Sequence, residues 1–286
     1  MAAALTIGGE TFAWDLGYIL GTAWVQTGGG DVYASGALAS SIPAGITPRV
    51  FSLDGTGGTP GIVTYGVAYD FDSDTASLGE TFVSSRNWLT QETYLSTDFY
   101  QTFFRRFGSP PTDDNGLFPN LSAVAKPASR FQPYYVSGDM RTTGDWNIGD
   151  GEQIIFLVNG NLTIGGNINL TGPLQRAFIS FIVNGDIIVD PSVGRAFNST
   201  VPNVEGVYIT SPAGTFRTGQ TTGAASARLV GRGMFVAGNF ALERDLDSVG
   251  HNIDYSAELF TYNPTFLVTM PQEMMDLYYH WQEVEP

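Results

Sequence analysis

The chain has 286 residues, 43% of them hydrophobic, and 28 acidic against 13 basic side chains give it a net charge of −15. That length can bury a sizeable core in one large or two smaller domains, while the charge repels phosphate backbones and anionic lipid and so argues against nucleic acid or an anionic membrane as partner. No cysteine is present, which removes disulfides, thiolate metal sites and cysteine nucleophiles together, and no run of 18 apolar residues offers a membrane span.

Thirty-five glycines and only 14% charged residues read as a turn-rich, mainly β protein. Residues 1–30 are extended and apolar, with Glu10 and Asp15 the charged groups of the first 27. They lack the basic start and clean apolar core of a signal peptide. A segment such as "AAALTI" can add as a strand to an exposed sheet edge. A head-to-tail contact of that kind propagates rather than closes, so the segment is expected to dock on a neighbouring copy and build a homo-oligomer or filament.

Residues 31–43, "DVYASGALASSIP", read as a first coil, and 44–133 as an excursion that interrupts the coils. Within it "DFDSDTASLGE" alternates Asp70, Asp72 and Asp74. An EF-hand loop would need Gly and Glu where Thr75 and Thr81 stand, and Glu80 comes one residue early. A non-EF calcium loop and a solvated acidic loop both fit. A helix is predicted near 97–108: Ser96, Thr97 and Asp98 are N-cap candidates, Phe99, Phe103, Phe104 and Phe107 form one stripe, Arg105 and Arg106 suit the last turn, and Gly108 and Pro110 end it.

From 134 to 246 one phrase recurs. "YYVSGDM", "FLVNGNL", "FIVNGDI" and "MFVAGNF" align on Gly138, Gly160, Gly185 and Gly238, while "VEGVYITSPAGTF" fits between the last two with Thr210 near the glycine position. Steps of 20–30 residues suit coils of a parallel β-helix better than hairpins. The phrase marks a corner, where glycine allows φ > 0 and the Asn or Asp beside it bonds neighbouring backbone. Gly36 aligns with the same column and is expected at its head. Residues 247–286 read as a C-terminal cap, with Pro264, Pro271 and a short helix at 272–279.

Catalytic constellations are sparse. His251 and His280 form no zinc motif, no G-x-S-x-G elbow occurs, and "GGTPG" and "TIGGN" lack a phosphate-binding lysine. Carboxylates are the richer class: Asp139, Asp145, Asp150, Asp186 and Asp190, with Glu243, Asp245, Asp247 and Asp254 further on. Asp139 and Asp186 occupy equivalent corners two coils apart, about 10 Å, a separation a glycosidase pair could use. The plainer role of a corner Asp is turn formation. The aromatics concentrate in the excursion and termini rather than the coils, which disfavours a carbohydrate groove. Sequons stand at Asn120, Asn161, Asn169 and Asn198, where glycosylation competes with chance in an Asn/Thr-rich chain.

The order "GGGDVYASGALASSIP", "GTPGIVTYG", "DWNIGDGEQIIFLVNGNLTIGGNINL", "FIVNGDIIVDPSVG", "GRGMFVAGNFALERDL" and the closing "WQEVEP" resembles a family of uncharacterised, predicted exported proteins of candidate-phyla (Patescibacteria-type) bacteria. The resemblance covers roughly residues 24–286. It implies an extracellular or cell-surface β-solenoid, often behind a membrane anchor or immunoglobulin-like domains, neither of which this chain shows, and carries no established activity. Together these readings predict a right-handed parallel β-helix with a helix-containing excursion and a C-terminal cap. The expected role is structural, without catalysis or cofactor, calcium at Asp70, Asp72 and Asp74 being the one metal considered. The alternative is a carbohydrate-active β-helix that binds or cleaves polysaccharide.

Overall fold

A computed structural model of the chain describes residues 4–7, 10–13, 25–28, 32–35, 38–39, 51–52, 63–70, 89–91, 98–107, 125–129, 133–174, 176–219 and 227–274. The N-terminal third contributes β1 (Ala4–Ile7), β2 (Glu10–Ala13), β3 (Val25–Gly28), β4 (Val32–Ala34), β5 (Leu38–Ala39), β6 (Phe51–Ser52), β7 (Val63–Tyr65), β8 (Tyr69–Asp70) and β9 (Leu89–Gln91), followed by helix α1 (Phe99–Phe107). The repeated region gives β10 (Tyr134–Val136), β11 (Met140–Thr143), β12 (Trp146–Ile148), β13 (Gln153–Val158), β14 (Leu162–Gly165), β15 (Ile168–Leu170), β16 (Phe178–Val183), β17 (Ile187–Val189), β18 (Val204–Thr210), β19 (Thr215–Arg217), β20 (Leu229–Val236) and β21 (Asn239–Ala241). Helix α2 (Val249–Asp254), β22 (Glu258–Thr261), α3 (Phe266–Thr269) and a 3-10 turn at Gln272–Met274 follow.

The architecture is mainly β and dominated by parallel pairing. The largest sheet runs β10-β13-β16-β18-β20-β22-β3-β6, and a second runs β11-β14-β17-β19-β21. From β10 to β21 each repeat adds one strand to each sheet. Val136 lies opposite Val158, Val158 opposite Val183, and Val183 opposite Thr210. Hydrogen bonds between successive repeats span 22, then 25, then 27 residues. The short strands β12 and β15 pair with each other, and β15 joins the large sheet through β18.

The two sheets differ in sequence because they differ in what covers them. In β14, Leu162 and Ile164 are buried and Thr163 between them is not, the alternation of a strand with one solvated face. β13 and β16 read as unbroken apolar runs and are buried on both faces. Ile154, Phe156 and Val158 point into the central core, while Ile155 and Leu157 join a second cluster with Tyr100, Phe103, Phe104 and Phe107 of α1 and Phe266 of α3. Helix α1 therefore roofs the outer face of the large sheet. Of its three cap candidates Asp98 serves, its Oδ1 accepting the Gln101 N–H at 2.9 Å. Inside the core Tyr134, Phe156, Phe181, Tyr208 and Phe235 follow one another in register. Their ring centroids are 5.3, 5.2, 5.5 and 5.3 Å apart, offset stacks contributing about 0.5–1.5 kcal/mol each beyond burial.

Several expectations are corrected. The N-terminal repeats do not head the stack. β3 pairs with β22, beyond which β6 follows, so the column expected to begin at Gly36 has its N-terminal members at the opposite end; Gly36 itself lies outside the described residues. The span 44–133 is not a plain excursion, since β6, β7, β8 and β9 form further parallel pairs within it, Val32 opposite Val63 and Val63 opposite Leu89. The N-terminal segment forms an antiparallel hairpin of β1 and β2, and β1 lies near β5 and β21 of its own chain. In the C-terminal region the helices are α2 and α3, and Gln272–Met274 makes only a 3-10 turn. Residues 275–279 of the expected helix lie outside the described residues.

Candidate functional site

The repeated corner was the strongest motif in the sequence, and the structure gives its chemistry. Gly185 N–H donates to the Gly160 carbonyl at 3.0 Å, and Asn239 N–H to that of Gly214 at 3.1 Å. A Cβ on Gly160 would sit 2.5 Å from the Gly138 carbonyl carbon, one on Gly185 2.8 Å from the Gly160 oxygen, and one on Gly238 2.0 Å from the Pro212 oxygen. Glycine is required by this close approach and not, as expected from the turn, by a positive φ, which none of these three has. In the repeat between Gly185 and Gly238 the position belongs to Gly214, whose added Cβ would meet the Gly185 oxygen at 2.3 Å. Thr210 pairs instead with Val183 inside the strand.

Beside the glycines runs a column of side-chain acceptors. Asp139 Oδ1 accepts the Asn161 N–H at 2.7 Å, Asn161 Oδ1 the Asp186 N–H at 2.8 Å, and Asp186 Oδ1 the Thr215 N–H at 2.8 Å. Asn184 donates its side-chain amide to Asn159 at 3.0 Å, and Asn169 to Asn147 at 3.1 Å. Asp139 and Asp186 thus share a column, with Asn161 between them, and each ties its own repeat to the next. The remaining carboxylates are also engaged. The Asn167 side chain and backbone hold Asp145 below its ordinary range. The Arg176 and Leu174 amides do the same for Asp150. Partial burial pushes Asp190 up, but Arg141 at 2.5 Å and Ser192 outweigh it and hold the carboxyl at about 2. A glycosidase acid must keep its proton at working pH, and Asp145, Asp150 and Asp190 are all shifted the other way.

The sequons divide. The Asn161 and Asn169 side chains are committed to the ladders, Asn198 is exposed, and Asn120 lies outside the described residues. So do Asp72 and Asp74, while Asp70 ends β8 opposite Ala39. Among the described residues no group of three or more His, Asp or Glu could hold a metal ion. His251 bonds Asp247 and stacks on Phe197 with centroids 3.5 Å apart; His280 is outside the described residues.

The most unusual chemistry lies where no motif pointed. Glu258 begins β22, is 2% exposed, and accepts the Arg244 N–H at 2.8 Å and the Thr218 hydroxyl at 3.0 Å. Burial, opposed by those two donors and the Arg244 charge, pushes its carboxyl up to about 7. The Arg244 guanidinium is itself buried and donates to four carbonyls: Thr218 at 2.7 Å, Ala227 at 3.0 Å, Pro191 at 3.1 Å and Asp190 at 3.1 Å. Arg228 is buried likewise, bonding Ser256 twice and Ser199 once. The signal in the sequence was a lone Glu inside the apolar run "AELF", since a strand carries a buried acid only when it is neutral or well bonded. Perturbed groups of this kind mark either sites or structural locks; Glu258, sealed from solvent and bonded to backbone and hydroxyl, is a lock. No family profile, curated protein or solved structure matches the chain, and none of its described helices is long and apolar enough to cross a membrane.

Proposed function

We propose that this chain is a structural protein: a right-handed parallel β-solenoid that presents a rigid rod outside the cell and performs no catalysis. The observation that carries the proposal is the use made of the polar corner groups. Asp139, Asn161 and Asp186 each accept a backbone N–H of the following repeat, so the residues best placed for chemistry hold the stack together. The register-matched aromatic column supports the same reading, because continuous stacking through the core favours rigidity. The location outside the cell rests on the sequence resemblance alone.

Self-association belongs to the proposal in altered form. The hairpin of β1 and β2 is already paired within its chain. In the first repeat Met140 and Trp146 are each 1% exposed, so its core side chains are covered. Filament growth would add strands at an outer sheet edge, which β10 and β11 form at one end of the stack and β6 and β9 at the other. Two measurements test the scaffold. Electron microscopy of the purified chain should show a short rod, and assay against acidic and neutral polysaccharides should show no turnover. Turnover that disappears in Asp139→Asn or Asp186→Asn would replace the scaffold with the carbohydrate-active reading.

A further inference from the structure

Among the described residues, β22 and β3 form a strand pairing between segments far apart in sequence. β22 is flanked on one side by β20 and on the other by β3, with Glu258 opposite Val25, Leu259 opposite Gln26, Phe260 opposite Thr27 and Thr261 opposite Gly28. Tyr262 N–H adds a bond to the Gly28 carbonyl at 3.1 Å. This seam attaches the N-terminal repeats, led by β3, to the end of the main stack, alongside the contact of β1 with β21. No cysteine exists to lock it. Its first residue is the buried acid, and the Arg244 cluster behind that acid ties the seam to the turns at Asp190, Pro191 and Ala227.

We infer that Glu258 makes this seam a proton-gated joint, closed while the carboxyl is protonated and loosened when it ionises, so that rising pH frees the N-terminal repeats from β22 before the main stack unfolds. The geometry sets the direction. Glu258 has two donors, both from the main-stack side of the seam, the Arg244 N–H and the Thr218 hydroxyl. The charged groups facing it are Arg244 and Glu243 on the segment after β21, with Arg228 at the head of β20 also sensing its charge. β20 places Leu229 and β3 places Val25 in register with it, both apolar. Glu243 repels the ionised form, and the Arg244 guanidinium spends its donors on carbonyls rather than on the carboxylate. An ionised Glu258 therefore remains a buried charge with partial compensation, and opening the seam returns it to water. Linkage gives the same sign: a group that holds its proton more tightly when folded loses stability as pH rises through its folded titration point. The scaffold proposal does not depend on this joint, because the repeats from β10 to β22 stack without it.

Hydrogen exchange at the β3 and β22 amides, corrected for the intrinsic pH dependence, measures the opening directly. Between pH 5 and pH 8.5 the opening constant should rise roughly a hundredfold at these amides and stay flat in β13 and β16. Glu258→Gln, which keeps the acceptor and removes the titration, should abolish the rise, while Glu243→Gln should retain most of it. A flat wild-type profile, or a rise that survives in Glu258→Gln, overturns the inference. Should Glu258→Gln fail to fold, carbon-detected titration of the native carboxyl decides the matter: a midpoint near 7 sustains the gate and one near 4.5 removes it.

Discussion

Gly160 and Gly250 separate two uses of the same residue. A Cβ on Gly160 meets the Gly138 carbonyl carbon at 2.5 Å, whereas one on Gly250, in α2, meets nothing within 4 Å. Gly160→Ala is expected to destabilise by about 1–3 kcal/mol through forced backbone shifts. Gly250→Ala should be neutral or stabilise by up to about 1 kcal/mol through helix propensity and a less disordered unfolded chain. Urea midpoints of the two variants check this, and equal midpoints would contradict the stacked corner. Asp190 makes a second residue-level test. Its folded carboxyl titrates at about 2, against an ordinary value of 3.8. A depressed acid contributes stability above its unfolded value and loses it as pH falls through the folded one, here about 2 kcal/mol between pH 4 and pH 2. Asp190→Asn should remove that part of the acid slope in thermal unfolding. Glu258, raised from 4.5 to about 7, acts in the opposite direction, its contribution being lost as pH rises from about 4.5 to about 7. The combined contribution of the two carboxyls is therefore greatest near pH 4.

Among elements, the strands of the large sheet carry the core, and Phe181 stands at its centre. It stacks on Phe156 with an interplanar angle of 2° and on Tyr208 at 13°. Phe181→Ala should cost about 3–5 kcal/mol, and more than removal of an aromatic that only lines the α1 roof, such as Phe103, which is partly buried; calorimetry of the two variants gives the comparison. The strands were legible in the sequence because apolar runs and the Asn-Gly phrase are local signals. "QIIFLV" and "FISFIV" announced two-sided burial, and the phrase set register within a residue or two. Gly214 was missed because Ser211, Pro212 and Ala213 lengthen that corner and shift the glycine away from the aligned position. The reason for glycine was misread as well, because backbone contact between repeats, unlike a turn dihedral, depends on residues more than twenty positions away. Glu258 and Arg244 escaped attention for the same cause: their partners Thr218, Pro191 and Ala227 lie 17 to 53 residues distant, and no spacing rule links them.

At the scale of the whole molecule, the surprise is the order of the repeats. Sequence order would stack residues 31–43 against 134–158, but β3 lies beyond β22, at the far end of the large sheet. Nothing local encodes this. The choice depends on which end of the stack offers a matching edge. At the first repeat Tyr134, Met140 and Trp146 are already buried, while at the other end β22 presents Glu258–Thr261 to β3 in register. The N-terminal repeats thus cover the end that the C-terminal strand leaves open, and the chain caps its own stack with its beginning. The seam between them joins Val25 to Glu258 across most of the chain, which makes it a natural place for control.

One distance tests this arrangement directly. The chain has no native cysteine, so spin labels can be placed on Ser35→Cys and Ser137→Cys, both exposed positions at a strand end. In the sheet order β10-β13-β16-β18-β20-β22-β3 six strand spacings separate the two repeats, about 29 Å at about 4.8 Å each. Pulsed dipolar spectroscopy should give a distribution centred near 30 Å, broadened by the label linkers. A distance of about 10 Å or less would place residues 32–39 beside the first repeat and contradict the stack described here.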